Sequence, residues 1–550
     1  MKVRADAVAT SETDVLVLGG GIAGHRAAAA ACQQGVAVSL AYLARGASIF
    51  IIGCNAPFGH VDARDGPDVY FDDMIRGGYG LNDRRLVRIV ADQATKAIEE
   101  LRAIGVPFAA ENSRLRQRHL SGNTYPRSVY VPEGTGRVIL EHLARQCEAL
   151  GATTLAGWKA VSLLCDHGEV VGALLAKPRE PRLLAVRARA VVLALGGIGR
   201  IYEDSTYPAD VAADAYALAF DAGARLIDME FVQFEPVVTV WPEACRGMEM
   251  PTAMLGDGAT LLNAAGERFM LRHNPEYGEK RIEKARLSLA IQREIDEGRG
   301  LPDGSVLFDT TQVPKAQLES YVAHVRRLRA AGLEPTRKGP HVRPAAHSEM
   351  GGVAIDESCW SGVPGLFACG ESAGGLHGAS RLAGNGGSDT VVTGAVAGRG
   401  AAASNVTLAG RDWPRIVDDA VDRLRAVAQQ AGAMAPDEVK QRIRELMPRA
   451  AGIWRRGDEL AKAARELEGL QSQSTTGPDP DWKTWIKALE ARNMALTARL
   501  VAEGALARCE SRGAHQRLDC PDPDDERWLH HVAFHRGPDG EVVRGIEAIR

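Results

Sequence analysis

The feature that most constrains this chain is a glycine-rich loop, Gly19-Gly20-Gly21-Ile22-Ala23-Gly24. It lies between the apolar run Val15-Leu16-Val17-Leu18 and an alanine-rich stretch. Strand, G-x-G-x-x-G and helix in that order predict a unit that binds a dinucleotide pyrophosphate. Gly19 allows the tight turn, Gly21 lets phosphates approach the backbone, and Gly24 lets the helix pack closely on the strand. Ile22 and Ala23 open the helix, whose free N–H groups and partial positive charge favour phosphate. The helix is expected from Ile22 to about Gln34, with Gly35 as its stop. The next strand, Val36 to Tyr42, ends without the Asp or Glu that holds a ribose 2′-hydroxyl, and Leu43-Ala44-Arg45-Gly46 supplies none either. This weakens a standard NAD-dehydrogenase reading and leaves the ribose contact unassigned.

With 550 residues the chain has room for roughly three or four domains of usual size. Its 66 basic and 70 acidic residues nearly balance, and no sustained basic tract occurs. Nucleic acid and anionic membranes are therefore not expected as partners. No run of about 20 apolar residues appears, so no transmembrane segment is expected. The polar start Met1-Lys2-Val3-Arg4-Ala5-Asp6 lacks a secretory apolar core, which predicts a cytoplasmic protein. The nine cysteines, at 32, 54, 147, 165, 245, 359, 369, 509 and 520, form no C-x-x-C pair. That argues against an iron–sulfur cluster, structural zinc or c-type haem, and free, mostly buried thiols are expected.

Further along, a helix is expected from about Arg84 to Ile104. A polar loop follows from Gln117 to Gly136, and another helix after Gly134-Thr135-Gly136. Alternation over Leu163–Ala176 around His167-Gly168-Glu169 predicts a hairpin. The run Ala190-Val191-Val192-Leu193-Ala194-Leu195 reads as a second buried strand ending in glycines, Gly196-Gly197. Residues from about 412 to 510 read as amphipathic helices, with Val417, Val421 and Leu424 on one packing face. The polar stretch Ser472–Pro480 reads as a mobile surface excursion that breaks them, and an extended tail is expected after Asp525.

Several segments resemble the FAD-containing family of succinate dehydrogenase, fumarate reductase and L-aspartate oxidase. They are Leu193–Tyr202, Asp228–Phe234, Asn263–Met270, Ala346–Gly352, Gly365–Glu371, Gly378–Leu382 and Glu510–His515, in the family's order across roughly residues 13 to 530. The resemblance implies an α/β fold: a Rossmann-like FAD-binding domain with an inserted α+β capping domain and a C-terminal helical domain. The expected boundaries are 1–235 and 346–411 for the FAD-binding domain, 236–345 for the cap, 412–510 for the helices and 511–550 for the tail.

The residues also speak for themselves. Glu371 ends a short buried strand, Gly365 to Gly370, where it can accept hydrogen bonds from ribityl hydroxyls; a surface carboxylate is the alternative. Asn385 and Ser388 lie in Gly384-Asn385-Gly386-Gly387-Ser388-Asp389, where small residues let a helix N-terminus approach a ring. Pointed at a flavin, that terminus stabilises negative charge on the reduced form; a plain helix cap is the alternative. Arg381 can grip a carboxylate with two hydrogen bonds, as the family's matching arginine does, or make an ordinary ion pair. His347 can donate to a carboxylate.

Departures from the family narrow the substrate. Where succinate and fumarate enzymes follow Gln-Phe with a substrate-binding histidine, this chain has Glu235. Where they carry a proton-transfer arginine, it has Lys284, or Arg286 on a two-residue shift. The segment Thr252–Gly258 lacks the family's Glu and Arg. The place where some members attach FAD through histidine falls near Ser48, so noncovalent FAD is expected. Together these features predict hydride exchange between FAD and a small carboxylate-bearing substrate. An amino acid or monocarboxylate derivative is expected rather than succinate or fumarate, because a buried Glu235 repels a second carboxylate. Lys284 or Glu235 is expected to handle the proton, although the two can instead neutralise each other. The alternatives are a flavin subunit serving a separate electron-transfer protein, and a module that binds flavin without turnover.

Overall fold

A computed structural model describes residues 8–280, 282, 284–428, 432–476 and 481–550. The chain forms two compact units. The first comprises residues 1–201, 208–231 and 349–550, and the second residues 202–207 and 232–348.

The first unit is built on a sheet ordered Thr153–Ala156, Val38–Tyr42, Ala9–Leu18, Leu183–Leu193, Glu169–Ala176 and Lys159–Asp166. Leu366–Ala368 also pairs with Leu183–Leu193. Strands Ala9–Leu18, Val38–Tyr42, Thr153–Ala156, Leu183–Leu193 and Leu366–Ala368 run parallel, while the expected hairpin, Lys159–Asp166 with Glu169–Ala176, is antiparallel. Register aligns Leu18 with Leu193, and Leu193 with Ala368. Three carboxyl-terminal strand ends thus lie side by side, which is where open α/β sheets bind ligands.

Helix Ile22–Cys32 leaves the first of these strands, as its alanine-rich sequence predicts. Its closeness to the sheet depends on two glycines. A Cβ on Gly24 would stand 1.9 Å from the Gly19 carbonyl oxygen, and one on Gly19, whose φ is +127°, would stand 2.0 Å from that of Ala194. Other expected helices occupy Arg84–Ala103 and Thr135–Ala149. The polar loop is not featureless, because Gln117–Arg118 and Ser128–Val129 pair within it.

Helices Trp413–Ala428, Pro436–Ala450, Gly457–Gln473 and Trp482–Ala507 follow. Val417, Val421 and Leu424 are buried together with Leu164, Leu174 and Trp485, so the stripe is a packing stripe. Gln473 still belongs to a helix, and residues 477–480 of the expected excursion lie outside the described residues. After a single turn at Asp525–Trp528, the chain ends in strands His530–Arg536 and Val542–Ala548, joined to Leu226–Ile227 and Gly352–Val353.

The cysteine expectation needs correction. Cys509 and Cys520 form a disulfide across eleven positions. The other seven are free, with Cys54, Cys147, Cys245, Cys359 and Cys369 buried. Absence of a C-x-x-C pair said nothing about two cysteines that a folded-back loop brings together. Among the described residues, no helix is long and apolar enough to cross a membrane.

The second unit holds a sheet ordered Val232–Trp241, His341–Glu349, Val306–Asp309 and Thr260–Leu262, with helix Lys284–Asp296. Leu261, Phe269, Ile291, Phe308 and Val342 form its fully buried core.

Candidate functional site

In the first unit the three strand ends carry three loops, and hydrogen bonds fix them together. Gly19 N–H donates to the Ala41 carbonyl, Ala194 N–H to Leu18 and Cys369 N–H to Leu193, at 2.8 to 3.0 Å. Ser372 Oγ donates to the Gly196 carbonyl at 3.1 Å, tying the Gly196–Gly197 loop to the one carrying Glu371. Ser48 Oγ accepts from Ile22 N–H at 3.0 Å, so Ser48 caps the start of the glycine-loop helix. The remaining first-turn N–H groups, including that of Ala23, have no acceptor within the helix and suit a pyrophosphate.

Glu371 is half-buried. Its carboxylate accepts from Glu349 N–H at 2.8 Å, and its carbonyl accepts from the Tyr216 hydroxyl at 2.7 Å. These bonds aim one carboxylate in a fixed direction, as a hydroxyl-binding residue requires. Asn385 and Ser388 lie in the first turn of helix Asn385–Ala402. Asn385 Oδ1 accepts from Tyr70 Oη at 2.8 Å and from Asn55 Nδ2 at 2.7 Å, while Ser388 Oγ donates to the Asn55 carbonyl at 2.7 Å. Both side chains anchor helix Asn385–Ala402; the N–H groups of Asn385 and Gly387 donate to the Leu382 and Gly384 carbonyls at 3.1 and 3.2 Å, so the helix start offers chiefly its dipole. Arg381 is half-buried beside this helix start. One of its NH groups donates to the Leu382 carbonyl at 3.3 Å.

The second unit gathers a separate polar cluster. Glu235, on strand Val232–Trp241, is 0% exposed. Lys284, the first residue of helix Lys284–Asp296, reaches it with Nζ–Oε2 at 2.5 Å and lies 3.6 Å from Glu249. His347 Nε2 lies 3.9 Å from the same Glu235 oxygen, and its Nδ1 meets Thr206 Oγ1 at 3.0 Å. Arg286, two residues beyond Lys284, is exposed, so the two-residue shift does not bring it to Glu235. Ligand-type atoms of Glu235, Glu249 and His347 lie within 4.8 Å of one another, but the Lys284 ammonium already sits against both carboxylates as their cation.

Three residues lacked assigned roles in the sequence. Thr206 and Glu249 join the cluster through folding alone. Glu249 is brought in by an antiparallel bridge to Val238, and its local signal is alternation with the buried Met248 and Met250. Glu349 lies two residues after His347 within the same motif and is 1% exposed. Burial, reinforced by the nearby Glu371 carboxylate, pushes its pKa well above the usual range despite an N–H donated by Gly351.

A family described as FAD binding domain matches residues 14–386, and one described as fumarate reductase flavoprotein C-term matches residues 440–546. The chain belongs to the FAD-containing family of fumarate reductase, succinate dehydrogenase and L-aspartate oxidase. This flavoprotein is 35% identical to one of the subunits of the fumarate reductase (CoM/CoB) of Methanothermobacter marburgensis, over 97% of this chain and 98% of that one. It is 32% identical to L-aspartate oxidase of Streptomyces coelicolor, over 96% and 92%. Its structure resembles a variant of E. coli quinol fumarate reductase FrdA, with TM-score 0.90, 26% identity and coverage of 98% and 97%. The flavoprotein is thus an FAD-dependent oxidoreductase with an FAD-binding domain and a C-terminal domain.

Proposed function

We propose that this flavoprotein exchanges a hydride with a small substrate carrying one carboxylate and an amine or hydroxyl, rather than with a dicarboxylate. The observation that supports this is the charge of the second unit's cluster. Glu235 and Glu249 place two carboxylates around the Lys284 ammonium, at 2.5 and 3.6 Å. Such a cluster repels a second carboxylate and accommodates a hydrogen-bond donor. Arg381 grips the single carboxylate through its planar fork. Bound FAD supplies the two-electron hydride chemistry. Lys284 already shares a short hydrogen bond with Glu235, so a proton can pass between them without either side chain moving far. His347, oriented by Thr206, donates to the substrate. FAD is held noncovalently, because the position matching the histidine attachment is Ser48, whose hydroxyl caps a helix.

A second reading rests on the relatives: by its name, the Methanothermobacter protein is one of several chains that make up its enzyme. A separate electron-transfer protein would then exchange electrons with this chain, and it would co-purify.

The test is anaerobic. After confirming that acid releases the FAD, the flavin absorption is followed while succinate, aspartate, other amino acids and monocarboxylates are added in turn. Bleaching by an amine- or hydroxyl-bearing acid and not by succinate is the expected result. Bleaching by succinate alone overturns the charge argument.

A further inference from the structure

We propose that Cys509 and Cys520 form a reversible redox site. A dithiol reduces the pair, and its state sets how firmly the Ala379–Arg381 segment is held. Cys509 is exposed and Cys520 half-buried, whereas five of the seven free cysteines are buried. The pair lines an open cleft of about 440 Å³, together with residues 521 to 526, so a reductant has access to the sulfurs.

The disulfide closes a loop that reaches inward. Within it, Ala514 N–H donates to the Ala379 carbonyl at 2.9 Å. Gly513 packs so tightly on Ala379 that a Cβ would stand 2.4 Å from the same oxygen. Ala379 lies two residues before Arg381. Arg512 braces the loop from inside, donating to both oxygens of Glu510 at 2.8 Å and to Asp525 at 2.6 Å. Ser511 Oγ donates to the Cys520 carbonyl at 2.9 Å, joining the loop's two ends beside the bridge. Opening the bridge returns conformational freedom to this loop and loosens its grip on Ala379.

The exchange balances as follows. A thiolate of the dithiol attacks Sγ of the exposed Cys509, forming a mixed disulfide and breaking the Cys509–Cys520 bond. Cys520 leaves as a thiolate and takes up a proton. The second thiolate of the reductant then attacks the mixed disulfide and releases Cys509, which is protonated in turn. Two electrons and two protons pass to the protein, and the reductant leaves as a disulfide.

The consequence for affinity rests on the reading of Arg381 as the carboxylate anchor. The experiment uses the FAD-loaded protein, before and after dithiothreitol. Alkylation of the folded protein followed by mass analysis is expected to add two adducts after reduction. Titration with acetate, followed by perturbation of the flavin spectrum, is expected to show roughly fivefold weaker binding in the reduced form. The C509S/C520S double variant is expected to bind like reduced wild type and to ignore dithiothreitol; C509A/C520A serves if that variant folds poorly. No added adducts, equal affinity in both states, or a dithiothreitol response that survives in the variant each overturns the proposal. Failure of the underlying reading looks different: R381K then binds acetate as wild type does, or acetate binds neither state, while the adduct count still decides the exchange.

Discussion

Glu235 has no access to water, so its charge is tolerable only with a partner in place, and Lys284 supplies one. Removing Lys284 takes the nearest cation from a fully buried carboxylate, and breaking a buried pair typically costs about 3 to 5 kcal/mol; removing Glu235 still leaves Lys284 beside Glu249. Replacing both with neutral groups of similar shape costs much less. In urea unfolding, Lys284→Met is therefore expected to destabilise by about 3 kcal/mol and Glu235→Gln, which leaves Lys284 beside Glu249, by less. The double variant should fall well short of their sum, with a coupling above about 1 kcal/mol. Strict additivity would mean the pair does not hold in solution. The sequence left Lys284 and Arg286 both open because the match to the family allows a two-residue shift; which of them meets Glu235 is fixed by tertiary packing. For the same reason Thr206 and Glu249 were invisible as partners, since each comes from a segment distant in sequence.

At the scale of elements, glycine carries opposite meanings in different helices. Gly24 sits where a methyl group would meet a backbone oxygen, whereas around Gly469, inside Gly457–Gln473, nothing lies within 4 Å of an added Cβ. Gly24→Ala must push helix Ile22–Cys32 off its strand and displace the donors meant for a pyrophosphate. It is expected to yield protein with FAD content reduced at least tenfold. Gly469→Ala only restricts the unfolded chain, and is expected to stabilise by about 0.5 to 1 kcal/mol with full FAD content. Cofactor-to-protein absorbance ratios and melting curves of the two variants check this contrast; full FAD content in Gly24→Ala would contradict it. The Gly24 case was legible because strand, turn and helix are contiguous and each glycine has a local steric reason. The sheet order of the first unit, with Leu366–Ala368 beside Leu183–Leu193, was not. It joins strands more than 170 positions apart, and composition does not encode which edges meet. The disulfide belongs to the same class, fixed by how residues 509–520 fold back.

For the molecule as a whole, pH acts through buried groups that cannot follow the solvent. His515, 0% exposed, accepts from Arg455 at 2.7 Å and donates to the Arg508 carbonyl at 3.0 Å. Burial, with Arg455 alongside, holds its pKa well below 6.5, while burial and Glu371 hold that of Glu349 well above 4.5. Between those two values the native state keeps a proton on Glu349 that the unfolded chain has lost. It also lacks one on His515 that the unfolded chain has gained. The two slopes oppose each other wherever both mismatches persist. The Glu349 mismatch lowers stability as pH rises from 4.5 towards its native pKa. His531 adds to this limb, because Asp228 outweighs the effect of burial and raises its pKa. The His515 mismatch lowers stability as pH falls from 6.5 towards its native pKa. Each mismatched proton contributes at most about 1.4 kcal/mol per pH unit. Glu349→Gln removes one titration without changing shape, so its melting temperature relative to wild type should climb as pH rises above 4.5. His515→Gln keeps an acceptor for Arg455 and a donor for Arg508, so its relative melting temperature should climb in the opposite direction, as pH falls below 6.5. Parallel curves for wild type and both variants would mean that neither group is held away from its ordinary protonation, and that the alkaline limb belongs to His531 and the surface.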